Sequence, residues 1–357
     1  MHNMSPASVA VVKILFLSVL SFVVTFALTP ALTHYLYKYK LGKRIRSDSQ
    51  KTPIFSKLHE HKKGTPTMGG ILIWATTFTI IVLFFYLPRL FPSIVPAEFN
   101  FLTRSETLLP LGVLMASALV GLADDLYEVK KLGKNGQGFK MKHRLLLYSG
   151  ISIVATYWFY VKLDWTIIHL PFQGNIDIGW WSIPIYFFVI VATSFSVNET
   201  DGLDGLAGGV LLASFSTFAT IAFLQESYNL ATFCAVISGT LLAFLWFNIH
   251  PARFFMGDTG SMSLGVTLAV VSILTNAVWI LPIVGFILVV ESGSVLIQWI
   301  SKGLRNGKKI FRSTPIHHHF EAIGWEEPKI VMRFWIISAV TAVFSLVFFL
   351  IDRAVLG

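Results

Sequence analysis

The feature that most constrains this sequence is a series of apolar stretches, each long enough to cross a lipid bilayer as a helix. A hydrocarbon core of about 30 Å requires roughly 20 apolar residues in helical form. Such stretches recur along the 357 residues, which are 54% hydrophobic and only 13% charged. Because lipid offers no water to backbone polar groups, only helices or closed barrels span it, and these stretches are too long for barrel strands. The sequence therefore predicts an all-α integral membrane protein.

Hydropathy and helix-breaking residues predict a bundle of ten transmembrane helices in a single polytopic domain covering residues 1–357. No internal repeat is visible in their order. An even number of spans places both termini on the same side of the membrane. The predicted spans are 10–36, 68–88, 107–126, 144–163, 181–197, 206–225, 230–248, 261–278, 280–301 and 330–352.

Lysine and arginine are distributed unevenly between the two sides of this bundle. Of the 28 Lys and Arg residues, 23 fall into the segments 37–67, 127–144, 249–260 and 302–333. Cytoplasmic loops carry such an excess, so these segments are predicted to be cytoplasmic and both termini to lie outside. The net charge of +9 is then one-sided and attracts anionic lipid head groups and anionic substrates. It does not favour nucleic acid as a partner, because no soluble domain fits between the spans.

Five aspartates fall at the predicted cytoplasmic ends of the spans. Asp124 and Asp125 end the third span, Asp201 and Asp204 precede the sixth, and Asp258 precedes the eighth. A bundle that brings these ends together forms an oxygen-rich anionic site, which requires a compensating cation. Mg²⁺ prefers oxygen ligands and is usually bound by one or two carboxylates together with substrate phosphates. The sequence therefore favours Mg²⁺ as a cofactor.

The adjacent pair Asp124 and Asp125 cannot serve one atom from a regular helix, because neighbouring side chains point about 100° apart. We predict that one faces the metal and the other faces the incoming nucleophile as an acceptor or base. The alternative is two solvated carboxylates at the end of a span. Carboxylates at a helix C-terminus oppose the helix dipole, which favours a function.

A glycine-rich string, NETDGLDGLAGG, occupies residues 198–209. Its glycines let the backbone approach a ligand, and the next span offers free N–H groups to an anion. Asp201 and Asp204 share a face if the turn is helical, which suits contacts with uracil, ribose or metal. The alternative for Asp204 is an N-cap of the sixth span.

A second glycine-flanked aspartate, Asp258, lies in the string WFNIHPARFFMGDTGS at residues 246–261. Metal ligation is the favoured interpretation, and N-capping of the eighth span is the alternative. In the same string, Asn248 is placed to donate to a phosphate or a base edge. Phe255 is placed to stack on a nucleobase, with ordinary packing as the alternative.

The last basic loop contains TPIHHHFE at residues 314–321. Its three consecutive histidines lack the i, i+4 spacing that places two zinc ligands on one helical face. His317 is instead expected to hydrogen-bond a diphosphate. Basic residues nearby predict an anion-binding loop, with a solvated cytoplasmic loop as the alternative; they are Lys302, Arg305, Lys308, Lys309 and Arg312.

Two further features carry weaker signals. Lys62 and Lys63 precede a Thr/Gly entrance to the second span, where Thr67 and backbone N–H groups can meet phosphate oxygens. Glu291 falls in the middle of the ninth span, where a carboxylate is expensive. For Glu291 we expect a structural hydrogen bond to another helix, remote from the other acids.

Together these strings resemble the phospho-N-acetylmuramoyl-pentapeptide transferase (MraY) family, a branch of the polyprenyl-phosphate N-acetylhexosamine-1-phosphate transferase superfamily. The resemblance extends over nearly the whole chain. The strings TPTMGG and PIHHHFE resemble this branch specifically, whereas the paired aspartates are shared by the superfamily. The segments that carry the resemblance are 64–70, 123–125, 198–209, 248–261 and 315–321.

The resemblance implies a reaction, a cofactor and a location. Phospho-MurNAc-pentapeptide passes from UDP-MurNAc-pentapeptide to undecaprenyl phosphate with Mg²⁺, giving lipid I and UMP in peptidoglycan synthesis. The family implies a homodimer in the bacterial inner membrane, with the active site facing the cytoplasm. Two rival functions stay open: a transferase of GlcNAc-1-phosphate from UDP-GlcNAc, and a secondary transporter.

The resemblance also assigns roles to residues. It implies that Asp258 binds Mg²⁺, that Asp124 and Asp125 lie beside the diphosphate, and that His317 is the essential histidine. The family usually carries a basic residue soon after the aspartate pair, whereas Tyr127 and Glu128 follow here, which leaves open which lysine meets the substrate. The residues expected to bind substrate are Lys62, Lys63, Thr67, Asn198, Asp201, Gly202, Leu203, Asp204, Asn248, Phe255, Gln298 and His318.

Two mechanisms are compatible with these roles. In direct attack, an oxygen of the lipid phosphate attacks the sugar-linked phosphorus while Asp124 accepts a proton or orients the lipid phosphate. In the alternative, an aspartate first becomes phosphorylated.

Overall fold

The computed structural model describes residues 5–42, 62, 64–130, 139 and 141–356. This part of the chain is built almost entirely from helices. The helices of seven or more residues are α1 (Pro6–Lys38), α2 (Ile71–Leu90), α3 (Leu108–Val129), α4 (Met141–Tyr157), α5 (Ser182–Thr200), α6 (Leu206–Leu224), α7 (Tyr228–Asn248), α8 (Asp258–Leu274), α9 (Phe286–Leu304), α10 (Ile316–Ala322) and α11 (Glu327–Leu356). A single turn, Leu281–Val284, precedes α9.

Nine helices among the described residues are long and apolar enough to cross a membrane, so the chain is a multi-pass membrane protein. The count of ten spans is not confirmed, because α8 has only 17 residues. Every residue from Asp258 to Ile273 is buried, so α8 lies inside the bundle, surrounded by other helices instead of lipid. Its apolar side chains therefore contact other helices of the protein core.

The helices that pack most closely approach each other at small residues. α7 lies in the centre against α1, and α8 lies between α3 and α5. A methyl group added at Gly239 of α7 would lie 2.2 Å from the carbonyl oxygen of Ser18 in α1. The Ser21 hydroxyl of α1 donates to the Val236 carbonyl of α7 at 3.0 Å. Since lipid is as apolar as the side chains, such close packing and hydrogen bonding hold the helices together.

Residues between α4 and α5 form a small antiparallel hairpin, β1 (Ile167–Leu170) paired with β2 (Gly174–Asp177). It lies in the segment between the predicted spans 144–163 and 181–197, for which no strand was predicted. His169 of β1 contacts Asp352 near the end of α11, with 2.6 Å between Nε2 and Oδ2. Asp352 also accepts from the backbone N–H of Phe172 at 2.6 Å. These bonds fix the hairpin against the last helix, at the end of the bundle opposite Asp124 and Asp258.

Candidate active site

At the C-terminal end of α3, the side chains of Asp124 and Asp125 have different partners. The Asp124 carboxylate accepts from Nε of Arg144 at 2.8 Å and from the backbone N–H of Phe139 at 2.6 Å. The Asp125 carboxylate accepts from the backbone N–H groups of Asp258 at 3.2 Å and Thr259 at 3.0 Å. Asp125 therefore caps the N-terminus of α8, where a negative charge is favourable.

This capping explains why a glycine precedes Asp258. Gly257 has a φ of +75°, in the region that residues with a Cβ rarely adopt. A methyl group there would lie 2.6 Å from Oδ2 of Asp125. Gly257 is the N-cap and Asp258 is the first residue of α8, so the alternative that Asp258 itself is the N-cap is wrong.

Arg144, in the first turn of α4, joins the acids at the ends of α3 and α8. Its Nη2 lies 2.6 Å from Oδ2 of Asp258, while its Nε bonds Asp124. Asn198, near the end of α5, donates to Oδ1 of Asp258 at 2.6 Å and accepts from Nη1 of Arg144 at 3.4 Å. We call Asp124, Arg144, Asn198 and Asp258 the Arg144 cluster. Its planar guanidinium balances two buried carboxylates with a fixed geometry.

Sequence reasoning did not select Arg144. In the sequence this residue is one of the basic residues of the segment 127–144. Nothing in the local spacing separates it from Lys142, which is exposed in the structure. Its position in the first turn of a span, one helix after the aspartate pair, is the only signal that pointed to it.

The donor set of the Arg144 cluster fits Mg²⁺, since Asp124 and Asp258 offer buried carboxylate oxygens and require positive charge. Both oxygens of Asp258 accept hydrogen bonds here, from Asn198 and Arg144. A metal ion on Asp258 must therefore share or replace a bond from one of these two side chains.

A different group satisfies the spacing of metal ligands most closely among the described residues. Ligand atoms of Asp204, His250 and Glu327 all lie within 4.8 Å of one another. The Lys62 ammonium contacts two of them, at 2.7 Å from Oδ1 of Asp204 and 2.5 Å from Oε1 of Glu327. We call these four residues the Lys62 cluster. Its lysine already supplies a positive charge between the carboxylates.

Asp204 also fixes the loop that follows α7. Its Oδ2 contacts Nδ1 of His250 at 3.0 Å and accepts from the backbone N–H of Ala252 at 3.1 Å. The N-cap of α6 is Gly205, with a φ of 79°, so the alternative that Asp204 is the N-cap is wrong. Sequence reasoning missed Glu327 and His250 as partners of Asp204, because only tertiary packing brings them together.

Asn248 connects two loops of the site through its carboxamide. The oxygen accepts from the backbone N–H of Gly205 at 3.0 Å, and the nitrogen donates to the Phe254 carbonyl at 2.8 Å. Gln298 does the same for the loop after α9, accepting from the N–H groups of Ile310 and Phe311. Both amides were predicted to meet substrate, and in this structure both stabilise loop backbone.

The histidine segment forms α10, and its rings have separate partners. His317 and Glu291 are fully buried, with 2.9 Å between Nδ1 and Oε2. His318 contacts Glu321, with 2.6 Å between Nδ1 and Oε2. The expected hydrogen bond from Glu291 to another helix is confirmed. This bond places Glu291 beside His317, one of the residues that the sequence assigned to the site.

Gly202 places the His317 ring against the glycine-rich loop. A methyl group at Gly202 would lie 2.2 Å from Nε2 of His317. The backbone at Gly202 therefore lies directly against this ring, with Asp201 as the C-cap of α5 and Leu203 buried. The structure thus brings the glycine-rich loop and the histidine helix together.

The remaining residues that the sequence assigned to the site have the following positions. The Thr67 hydroxyl contacts Oδ1 of Asp125 at 3.4 Å. The Lys62 ammonium lies 5.8 Å from the centroid of the Phe255 ring. Lys63 lies outside the described residues. The five basic residues proposed as an anion-binding loop are all exposed, and their role stays a prediction; they are Lys302, Arg305, Lys308, Lys309 and Arg312.

Comparison with known proteins identifies the family. The sequence-family model described as Glycosyl transferase family 4 matches residues 107–276. The family signature described as phospho-N-acetylmuramoyl-pentapeptide-transferase signature 1 matches residues 62–73. A phospho-N-acetylmuramoyl-pentapeptide-transferase of Chloroflexus aggregans is 37% identical over 342 residues, covering 92% of this chain and 88% of the relative. One from Listeria welshimeri is 39% identical over 336 residues, covering 93% and 98%. The chain belongs to the phospho-N-acetylmuramoyl-pentapeptide transferase family.

The resemblance in the sequence motifs is thereby confirmed. The glycosyl transferase match runs from the start of α3 to just beyond α8, so it includes the whole Arg144 cluster. The signature begins at Lys62 and extends into α2. Both matched segments therefore contribute side chains to the site described above.

Proposed function

We propose that this chain transfers phospho-MurNAc-pentapeptide from UDP-MurNAc-pentapeptide to undecaprenyl phosphate, giving lipid I and UMP in peptidoglycan synthesis. The observation that carries the proposal is the meeting of Asp124, Arg144 and Asp258 at one end of a membrane bundle. Family membership at 37% to 39% identity over nearly the whole chain supports it.

The residues of the Arg144 cluster fit the demands of phosphoryl transfer. This reaction asks a protein mainly for positioning and for stabilisation of charge. In our proposal an oxygen of the lipid phosphate attacks the sugar-linked phosphorus, and the bond from that phosphorus to the UMP oxygen breaks. Asp124 orients the attacking phosphate or accepts its proton. Arg144 holds Asp124 and Asp258 at a fixed separation.

Asp258 is our proposed ligand for Mg²⁺, which when bound supplies a Lewis acid for the charge on the phosphates. Asn198 orients the Asp258 carboxylate through its 2.6 Å hydrogen bond. Asp125 does not need to touch substrate in this scheme. It fixes the start of α8, and with it the direction of the Asp258 side chain.

We assign His317 to the diphosphate. Glu291 fixes the ring through Nδ1, and the ring lies beside Gly202 in the glycine-rich loop. Residues of that loop and of the Lys62 cluster are our candidates for the nucleotide end. A fixed ring is useful because even about 1 Å of misplacement can cost two orders of magnitude in rate.

The membrane setting follows from the substrates proposed. A nucleotide substrate made in the cytoplasm requires the site to face that side, as the basic loops predict. We propose an inner-membrane homodimer with both termini outside. Labelling of the variants Ser5→Cys and Lys142→Cys in intact cells tests the orientation. Only the cysteine introduced at position 5 should react with an impermeant thiol reagent.

The reaction is tested by identifying the products made by purified protein in lipid nanodiscs. With UDP-MurNAc-pentapeptide, undecaprenyl phosphate and Mg²⁺, mass spectrometry should find lipid I and UMP in equal amounts. A product formed only from UDP-GlcNAc would assign the sister activity. Uptake of the nucleotide sugar into proteoliposomes without release of UMP would assign a transporter.

The order of bond changes needs a separate experiment. Direct attack predicts that UDP-MurNAc-pentapeptide without lipid releases no UMP and leaves no phosphosugar on the protein. A burst of UMP equal to the enzyme concentration, with a labelled aspartate, would establish the two-step alternative.

A further inference from the structure

Three of the four residues of the Lys62 cluster are charged groups from segments that are far apart in the sequence. Lys62 precedes α2, Asp204 precedes α6, and Glu327 is the first residue of α11. All three residues are at most 9% exposed. The buried ammonium lies between the two carboxylates, at 2.7 Å and 2.5 Å. A buried charge of this kind is stable only when it is paired and hydrogen-bonded.

Glu327 has two tasks in this cluster. Its Oε1 accepts from the Lys62 ammonium, and the same oxygen accepts from the backbone N–H of Asp204 at 2.7 Å. Its Oε2 lies 3.5 Å from Nδ1 of His250. One side chain from α11 therefore sets both the position of the lysine and the path of the glycine-rich loop.

An ammonium group carries three N–H donors. That of Lys62 donates to two carboxylates, those of Asp204 and Glu327. The ring of Phe255 lies close by, with its centroid 5.8 Å from the ammonium nitrogen. A fixed cation beside an aromatic face suits a flat ligand that carries carbonyl oxygens. This combination is what a nucleotide base offers.

We infer that Glu327 is a positioning residue for the nucleotide end of the substrate, acting through Lys62 and the backbone of Asp204. This inference rests on the proposed function. A divalent cation at Asp204, His250 and Glu327 is the competing explanation for the cluster. The ammonium already balances the two carboxylates, which is why we favour a built-in lysine cation at this place.

The test compares Glu327→Gln with Glu326→Gln in full-length protein in nanodiscs. Glu326 is the exposed neighbour and provides a matched control. Binding of UDP is measured by calorimetry with EDTA present and undecaprenyl phosphate omitted, so that neither the lipid substrate nor metal enters the measurement. We expect Glu327→Gln to weaken UDP binding by roughly tenfold, as loss of a charge-assisted hydrogen bond predicts. Glu326→Gln should match the wild type, and Glu327→Asp, which keeps the charge, should bind more tightly than Glu327→Gln.

Steady-state kinetics separates positioning from general damage. In Glu327→Gln, KM for the nucleotide substrate should rise about tenfold, while kcat and KM for undecaprenyl phosphate change by less than about threefold. Equal UDP affinity in Glu327→Gln and Glu326→Gln would overturn the inference. So would an equal loss in both KM values together with a lower Tm.

Two further results keep the outcomes distinct. If wild-type protein binds one Mn²⁺ without nucleotide and Glu327→Gln abolishes that binding, the cluster is a metal site and the inference is wrong. If wild-type protein makes no lipid I but Glu327→Gln still weakens UDP binding, the proposed reaction fails while the role of Glu327 in nucleotide binding stands.

Discussion

In the Arg144 cluster one arginine joins two carboxylates, and in the Lys62 cluster one lysine joins two others. The arginine side chain is 20% exposed, whereas the lysine side chain is 8% exposed. Solvent and ligands therefore reach the first cation more easily than the second. In the Lys62 cluster, both carboxylates also accept backbone N–H groups.

This difference assigns separate tasks to two clusters of similar charge. A cation that solvent reaches can exchange its partners during a reaction, which suits a site for diphosphate and metal. A buried lysine whose carboxylate partners are tied to loop backbone suits recognition of a ligand that does not change. In our proposal, the same balance of charges serves chemistry in one place and binding in the other.

The largest effect is expected for Asp258→Asn, which removes the proposed metal ligand from the Arg144 cluster. Release of UMP should fall by roughly 10³-fold, in the range found when one electrostatic stabiliser of a transition state is removed. UDP binding in EDTA should stay within about threefold, because the Lys62 cluster is unchanged. Asp177→Asn in the exposed hairpin is the control. Retention of most of the kcat would remove Asp258 from the mechanism.

Gly202→Ala tests the segment that connects the clusters, which runs from Asn198 in the last turn of α5 to Asp204 before α6. The added methyl group would lie 2.2 Å from Nε2 of His317, so the loop or the ring must move. We expect kcat to fall by roughly 10²-fold, the cost of a misplacement of about 1 Å. Gly112→Ala meets no atom within 4 Å and should change nothing. Normal activity in Gly202→Ala would show that contact with the His317 ring is unimportant.

Arg144→Gln tests whether the built-in cation and Mg²⁺ share the same carboxylates. Removing the guanidinium leaves Asp124 and Asp258 without their arginine, so the site should attract Mg²⁺ more strongly. The Mg²⁺ concentration for half-maximal UMP release should fall by roughly tenfold, corresponding to about 1.4 kcal/mol. The kcat should also fall, because Asp124 is no longer oriented. Lys142→Gln, an exposed neighbour, is the control; a higher Mg²⁺ requirement in Arg144→Gln would contradict this account.

The smallest effect is expected for the coupling between Arg144→Gln and Glu327→Gln. Asp124 and Asp258 bond Arg144 and Asn198, whereas Asp204 and Glu327 bond Lys62 and loop backbone. The free-energy effects of substitutions at independent sites add within about 0.3–0.5 kcal/mol. The loss of kcat/KM for the nucleotide substrate in the double variant should therefore equal the product of the two single losses within roughly twofold. Kinetics of all four proteins gives the coupling. A coupling of tenfold or more would show that the clusters act as one unit.

Much of the fold was predictable because membrane helices follow from hydropathy alone. The exception was α8, where an apolar stretch reports burial and does not distinguish lipid from protein surroundings. The hairpin was missed because its stability depends on contacts with Asp352, which lies far away in the sequence.

The site was predictable to the extent that each motif names its own chemistry. The aspartates and His317 were selected from local strings, and the structure brings them to the same end of the bundle. Arg144 and Glu327 were missed, because their importance depends on which carboxylates packing places beside them. The N-cap alternatives failed for a local reason, since glycines with positive φ occupy both cap positions.

The central claim is that the aspartates of this bundle support Mg²⁺-dependent transfer of a phosphosugar to a lipid phosphate. The most direct measurement is the release of UMP from UDP-MurNAc-pentapeptide by the purified chain in nanodiscs, with undecaprenyl phosphate and a titration of Mg²⁺. We predict release that requires both the lipid phosphate and Mg²⁺ and that is lost in Asp258→Asn. Folded wild-type protein that releases no UMP, or releases it equally well in EDTA, would contradict the claim.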